Sequence, residues 1–349
     1  MLKGVVIGCG RIGARTSPDL RAKLPPGWMP LNHAEAMRAA GIELSALCDV
    51  DPVRLHAASI EHGVAASYTD YALLLRELRP DITGIATRTE GRTVILRAAA
   101  VAGVRGAHVE KPFSRTLADT RDALAVTRAA GMRLTYGTTR RFMDVYRTAR
   151  ALVQSGEIGR LREIHVAQGL APLFWTQAHA ADLLVFFSGG AAIEDVVARC
   201  RWSGPVSEDL VDDDPLIEFA AIRFAGGLLG IISPADGYTT TLHGEKGSIS
   251  VTGDGGALEI RRGGDALYWN PPEIRAPAPF MSGTQRAFVE LAAALEAGGP
   301  SPMEPAEIEL GQVLLFAIAT SAIRNGVPVR PEDLNPALTI TGRSGALYA

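Results

Sequence analysis

Cysteine is scarce in this 349-residue sequence, which has only Cys9, Cys48 and Cys200. An odd number, with no metal-ligand spacing and small residues alongside, argues against a disulfide framework or a metal site. The three read as reduced packing residues of a cytoplasmic protein. An excess of one charge is also missing: 35 Lys and Arg stand against 38 Asp and Glu, giving a formal net charge of −3. No basic block is available to neutralise phosphates, so nucleic acid is not expected as a partner. Long apolar runs are absent too. Leu183–Phe187 and Val313–Ala319 fall well short of the roughly 20 residues that cross a bilayer, so no membrane span is expected. The opening MLKGVVIGCGRIG lacks the long apolar core and cleavage site of a secretion signal and reads as a first strand. There is no internal repeat and no low-complexity tract.

What remains is ordinary globular composition, 47% hydrophobic and 21% charged, over a length that suits two domains. Through about Arg133, short β-branched runs alternate with amphipathic segments, the rhythm of a parallel sheet covered by helices. Strands are expected at Val5–Gly8, Ile42–Cys48, Ile82–Thr87, Val104–Glu110 and Met132–Gly137. Helices are expected at His33–Ala40, Tyr71–Leu78, Thr93–Ala102 and Leu117–Ala130. After Gly137 the texture changes. Helical Asp144–Ser155 leads to strand-like Leu161–Leu170 and an apolar helix near Ala178–Phe187. Strand candidates then follow at Ala192–Trp202, Leu216–Phe224, Leu228–Pro234, Tyr238–His243, Gly247–Val251 and Leu258–Arg262. Gly-rich turns between them indicate an antiparallel or mixed sheet. Asn270–Phe280 is Pro-rich and reads as an extended connector, followed by helices over Thr284–Ala297 and Glu304–Asn325. The expected organisation is a dinucleotide-binding α/β domain over 1–137 and an α+β substrate and oligomerisation domain over 138–349. Its C-terminal helices are free to pack back on the first domain.

The chemistry begins at Gly8-Cys9-Gly10-Arg11-Ile12-Gly13, a G-x-G-x-x-G directly after the first strand. Its first Gly permits a tight turn, the second lets a pyrophosphate approach the backbone and the third lets a helix pack closely. An acidic residue normally follows about 20 positions on. Here Thr16–Asn32, with Ser17-Pro18, Pro25-Pro26-Gly27 and Trp28-Met29-Pro30, intervenes as an inserted loop that cannot be one helix. It is expected to lie outside the core, over the cofactor or against a second subunit. The acidic residue arrives as Asp49, where a carboxylate would bond a ribose 2′-hydroxyl and repel a 2′-phosphate, favouring NAD over NADP. Arg54 nearby would soften that preference, and Asp51 reads as a helix cap. Glu110-Lys111-Pro112 lies where a strand leaves the sheet, the edge at which open α/β sheets bind ligands. Taken alone, a Lys there is more often a solvated surface residue.

The order of these elements resembles the glucose–fructose oxidoreductase/inositol dehydrogenase (Gfo/Idh/MocA) family. The features that carry it are the Gly-rich turn, Cys48-Asp49-Val50-Asp51-Pro52, Ile85-Ala86-Thr87, Glu110-Lys111-Pro112, and His179-x-x-Asp182 on an apolar helix. Ser155-Gly156-Glu157-Ile158-Gly159 and Gly244-Glu245-Lys246-Gly247-Ser248-Ile249 add to it. The resemblance implies a doubly wound parallel Rossmann sheet joined to an α+β domain whose large, open, mainly antiparallel sheet supports the substrate site and often oligomer contacts, so a homo-oligomer, dimer or tetramer, is expected. It also implies NAD, or NADP, as cofactor, with Gly8, Gly10, Arg11, Ile12, Gly13, Asp49, Arg54, Thr87, Glu110 and Lys111 as binding residues. The expected reaction is hydride transfer to or from a secondary alcohol or ketone of a sugar, glycoside or cyclitol. In it Lys111 acts on the reacting oxygen and His179 serves as acid/base.

Three positions depart from the family pattern: the usual Asp four residues before the His is Trp175, and the usual Gly between them is Gln177. A commonly occurring His becomes Arg92. Arg140, Arg141, Tyr146, Trp175 and Gln177 are candidates to contact substrate, the paired arginines through a carboxylate, phosphate or polyol. A solvated helix start is the other reading for at least one arginine, and a buried aromatic for Trp175. Two alternatives stay open on the sequence: a catalytically weak dinucleotide-binding regulatory or scaffold protein, and an oxidoreductase acting on an imine, enone or dihydrodiol.

Overall fold

The computed structural model describes residues 1–25, 27–263, 270–276 and 281–342. In chain order the first elements are β1 (Lys3–Ile7), α1 (Pro18–Lys23), α2 (His33–Ala39), β2 (Glu43–Cys48), α3 (Pro52–His62), β3 (Ser67–Tyr68) and α4 (Tyr71–Leu78). There follow β4 (Ile82–Ile85), α5 (Thr89–Val101), β5 (Gly106–Val109), α6 (Leu117–Ala129) and β6 (Arg133–Tyr136). A 3-10 turn at Thr139–Phe142 leads to α7 (Asp144–Gln154), β7 (Leu161–Ala167), α8 (Ala178–Ser188), β8 (Ile193–Arg201) and β9 (Leu210–Val211). Strands β10 (Leu216–Phe224), β11 (Leu228–Ser233), β12 (Thr239–Gly244), β13 (Gly247–Thr252), β14 (Ala257–Arg262) and β15 (Glu273–Arg275) come next. The chain finishes with α9 (Gly283–Ala297), α10 (Pro305–Ile323) and β16 (Thr339–Ile340).

Two compact units result. One takes in the described residues of Met1–Thr139 and Met281–Glu309, the other those of Arg140–Phe280 and Leu310–Arg343. In the first, six parallel strands run in the order β3-β2-β1-β4-β5-β6. The order reverses between β1 and β4, the switch point where such sheets leave a crevice at their carboxyl ends. Local signals set the helix starts. Asn32, Asp51, Asp70 and Thr116 accept backbone N–H groups at the starts of α2, α3, α4 and α6. Helix α9 packs on the same sheet: Leu291 lies against Gly106, and the Phe288 ring meets His33 and His108 edge-on or tilted.

The second unit is built on eight strands in the order β15-β14-β13-β12-β7-β11-β10-β8, antiparallel throughout except for the β7–β11 pair. Helices α7 and α8 pack on it, α8 against β7 and β11 and α7 against β13 and β14. This is the parallel sheet plus mainly antiparallel sheet that the sequence predicts.

Several details differ from expectation, and four have a local reason. Helix α3 carries no clear apolar stripe, because Val53 and Ile60 are 77% and 69% exposed while Leu55 and Ala58 face inward. Inside the Thr16–Asn32 insertion, Ser17 caps and Pro18 starts the short α1, which buries none of its residues. The Asn270–Phe280 connector contributes β15 to the sheet edge, and residues 277–280 lie outside the described residues. Helix α10 is long and apolar enough to cross a bilayer, with mean hydropathy 1.5, but 72% of its apolar window is buried within the protein. It reads as a core helix.

Because the Phe288 side chain is fully buried between α9 and the two histidines, Phe288→Ala is expected to cost about 3–5 kcal/mol. Urea denaturation of the purified variant measures it.

Candidate active site

The Gly-rich turn is shaped by backbone crowding. Gly8 has φ +97, and a Cβ there would lie 2.7 Å from the Ala86 carbonyl. A Cβ on Gly13 would fall 1.7 Å from the Gly8 oxygen. At Gly10, by contrast, a Cβ would meet nothing within 4 Å. Two glycines of the motif are therefore demanded by the chain itself, while the middle one borders open space, as close approach of a pyrophosphate requires. The amides of Ala14 and Arg15 donate to the Gly10 carbonyl at 2.9 and 3.1 Å, closing a single turn. The chain then leaves for the insertion and returns at α2, where His33 N–H bonds to Ile12 O at 2.8 Å and Ala34 N–H to Gly13 O at 3.0 Å. Asn32 Nδ2 donates to Thr16 Oγ1 at 3.1 Å and closes the neck of the loop.

Asp49 serves this turn directly. Its Oδ2 accepts Cys9 N–H at 2.7 Å and its Oδ1 accepts Asp51 N–H at 2.9 Å, with Arg54 Nη1 3.7 Å away. At 6% exposure it fixes the loop as well as facing it with negative charge. Arg54 also lies 3.6 Å from Asp51. Burial pushes the Cys9 and Cys48 thiols up to about 12, consistent with unreactive packing residues.

On the other side of the switch point, β5 and the residues after it share a buried polar cluster with β6 and the start of α2. His33 Nε2 sits 3.2 Å from Glu110 Oε1, and Glu110 Oε2 accepts the Lys111 backbone N–H at 3.2 Å. His108 Nδ1 pairs with Thr135 Oγ1 at 2.9 Å, and the two imidazoles meet edge to face at 4.7 Å. The ligand atoms of His33, His108 and Glu110 lie within 4.8 Å of one another, but the contacts among them are those of a hydrogen-bonded network. Burial acts to raise the Glu110 carboxyl, and the hydrogen bond and charge of His33, with His108 and Lys111, outweigh it and hold it down to about 2. Burial, aided by His33, pushes His108 down to about 3. The hydroxyls of Thr87 and Thr138, after β4 and β6, are buried and have no hydrogen-bond partner among the described residues. With the open space at Gly10, these are features that fit a dinucleotide along the carboxyl edge of the sheet.

The remaining candidates lie in the second unit. Arg140 grips Asp254 with two bonds, Nε to Oδ1 at 2.6 Å and Nη2 to Oδ2 at 2.7 Å, and Tyr146 OH joins the same carboxylate at 3.3 Å. Arg141 pairs with Asp182 at 2.9–3.0 Å, one helical turn after His179 on α8. Both arginines are 4% exposed, so each has an acidic partner within its own unit. Burial lowers and Asp254 raises the Arg140 guanidinium, and Asp254 prevails; burial pushes the Tyr146 phenol up. The turn before α8 is pinned by Asp214, whose oxygens accept Phe174 N–H at 2.8 Å and Trp175 N–H at 3.1 Å. Gln177 is fully buried and donates to the Gly169 carbonyl at 3.1 Å. Asp214 and Asp254 went unsingled in the sequence because loop acids look solvated. Asp254 sits in Gly253-Asp254-Gly255-Gly256, which shows only as a turn signal.

These contacts predict two outcomes. Gly10→Val should fold with a near-normal melting temperature yet lose most affinity for NADH, whereas Gly13→Ala should destabilise the first unit; thermal melts and NADH fluorescence titration separate them. The unfolded state takes up a proton on His108 below pH about 6.5 that the folded state refuses until about 3. Glu110 adds stability that is full above its ordinary value of 4.5 and lost as pH falls towards 2. Stability of the first unit should thus decline as pH drops below 6.5, and His108→Gln should flatten the decline between 6.5 and 4.5, as read by urea midpoints across pH.

Comparison with known proteins agrees with this geometry. Residues 2–138 match the family model for the Gfo/Idh/MocA oxidoreductases, described as an oxidoreductase family with an NAD-binding Rossmann fold. The chain is 33% identical over 158 residues to a D-apiose dehydrogenase of Paraburkholderia graminis, covering 45% of this chain and 37% of that one. It is 29% identical over 222 residues to an inositol 2-dehydrogenase of Ralstonia nicotianae, covering 59% and 60%. The match spans about two fifths of the length of the two apiose dehydrogenases, 37% and 41%. Among solved structures, levoglucosan dehydrogenase in complex with NADH and levoglucosan superposes with TM-score 0.75 at 17% identity, over 94% of this chain and 98% of that one. An inositol dehydrogenase homolog from Azotobacter vinelandii, complexed with NADH and myo-inositol, gives 0.71 at 18% identity over 94% and 97%; at such identities the likeness is one of fold. Residues 2–138 thus match the Gfo/Idh/MocA oxidoreductase family model, with its NAD-binding Rossmann fold.

Proposed function

We propose that this protein catalyses reversible hydride transfer between NAD and a secondary alcohol, or the matching ketone, of a sugar, glycoside or cyclitol. The observation that carries the reading is the edge after β5. Lys111 there follows a carboxylate that is itself held by His33, on the same sheet edge as the Gly-rich turn. The names of the relatives, apiose and inositol dehydrogenases, support the substrate class.

NAD, when bound, supplies the hydride acceptor or donor. The chain's own residues handle the oxygen and its proton. The Lys111 ammonium stabilises the negative charge that develops on the substrate oxygen. His179, in the first turn of α8, takes the hydroxyl proton during oxidation and returns it during reduction, a task suited to imidazole near neutral pH. Trp175 presents a ring face to the polyol, while Gln177, buried and bonded to the Gly169 carbonyl, holds the turn before α8. The Arg140–Asp254–Tyr146 and Arg141–Asp182 groups hold the surrounding chain rigid. Asp49 favours NAD over NADP by repelling a 2′-phosphate.

The test is a panel of cyclitols, free sugars and glycosides assayed with NAD and NADP. Turnover of at least one polyol with NAD, and tighter binding of NAD than of NADP, is expected. With that substrate, Lys111→Met and His179→Ala should each lower kcat by about 100-fold or more. A folded His179→Ala protein with normal turnover would remove His179 from the mechanism.

A further inference from the structure

Arg92 lies near the start of α5 and is 4% exposed. Its two terminal nitrogens reach two different loops: Nη1 donates to the carbonyl of Pro112 and Nη2 to the carbonyl of Thr87. Thr87 follows β4 and Pro112 follows β5. Strands β4 and β5 pair as far as Ile85 and Val109, and the Glu110 amide still donates to Ile85 O at 3.0 Å. Past that point the two loops leave the sheet, and the guanidinium spans them.

Burying a cation is costly unless it is well partnered. Burial pulls Arg92 down to about 10, with Glu110 and Tyr136 acting against it, so it stays charged at neutral pH. An aliphatic side chain would fill the same space without that cost. What the guanidinium alone offers is a rigid planar fork with donors pointing at two acceptors at once, which the single-point ammonium of Lys cannot reproduce.

The halves of the sheet divide the cofactor. The turn after β1 takes the pyrophosphate, and the β2 side, with Asp49, takes the adenosine, which leaves the β4–β6 side for the nicotinamide. We propose that Arg92 is a positioning residue for the nicotinamide half of the cofactor site, holding the Thr87 and Lys111-Pro112 loops in fixed register. The proposal rests on the reading of the first unit as an NAD site.

The experiment uses the full chain and two probes: NADH, which occupies both halves, and ADP, which carries only the adenosine and pyrophosphate. Arg92→Gln should weaken NADH binding by on the order of tenfold, as expected for lost charge-assisted hydrogen bonds, with ADP affinity within about twofold on the same argument. Arg92→Lys should also fail to restore NADH affinity, and it serves as the second variant should Arg92→Gln misfold. Hydrogen exchange of the segments around 86–90 and 111–115 should rise in both. Equal weakening of NADH and ADP would make Arg92 a general support of the unit and overturn the proposal. Unchanged NADH binding in Arg92→Gln, or full restoration by Lys, would overturn it as well. Wild-type protein that binds neither probe would instead remove the cofactor reading on which the proposal stands, an outcome visible before any variant is made.

Discussion

A carboxylate buried under the carboxyl edge of a parallel sheet must be surrounded by donors, and much of the first unit is arranged around that requirement at Glu110. His33 supplies one donor from the start of α2 and the Lys111 amide supplies another. Room for the group comes from missing side chains. A Cβ on Gly137 would lie 2.7–2.8 Å from the Glu110 carboxyl, and one on Gly84 would lie 2.7 Å from His33 Nδ1. Helix α9 closes the cluster with Phe288, which packs on both imidazoles. Glu110 thus couples the start of α2, the ends of β5 and β6 and the Lys111 turn into one rigid body. It also explains why α2 must begin where it does despite the insertion: His33 has to arrive beside Ile12 and Gly13 to reach Glu110.

The second unit uses the same device twice with cations. The pair Arg141–Asp182 is buried, as is Arg140 in its fork on the part-buried Asp254, and removing the acid from either leaves a buried cation uncompensated, at about 3–5 kcal/mol. One pair ties the start of the unit to the β13–β14 turn, the other ties it to α8. Asp214 adds a third anchor at the turn before His179. The segment that carries it is braced in turn, since β9 pairs with β16 near the end of the described chain. The geometry around His179 is therefore set by contacts between residues far apart in sequence.

That distance explains what could be read from the sequence and what could not. The Gly-rich turn and the Asp51 cap were legible because their causes are local: the glycines stand where the backbone crowds itself, and Asp51 accepts the amides of Val53 and Arg54. The alternation of strands and helices was legible for the same reason, except at α3, where exposed Val53 and Ile60 blur the periodicity. Strand ends were overrun: Val104–Glu110 shrinks to Gly106–Val109, because a continuous apolar run does not mark where pairing stops. The partners of Arg140, Arg141 and His33 lie 114, 41 and 77 residues away. No local pattern reports such pairings, so two arginines that the sequence offers as substrate ligands are found gripping carboxylates of their own unit. Arg92, visible in sequence only as a departure from the family pattern, acquires a role once Thr87 and Pro112 are seen to share it.

On the proposed function, the crowded Gly8–Gly13 turn and the Glu110 cluster are the two ends of one dinucleotide site. A crystal structure of the protein with NADH tests it most directly. The pyrophosphate is expected against Gly10, the adenosine ribose beside Asp49 and the nicotinamide next to Thr87 and Lys111. NADH bound elsewhere, or bound with its nicotinamide away from the ends of β4 and β5, would contradict it.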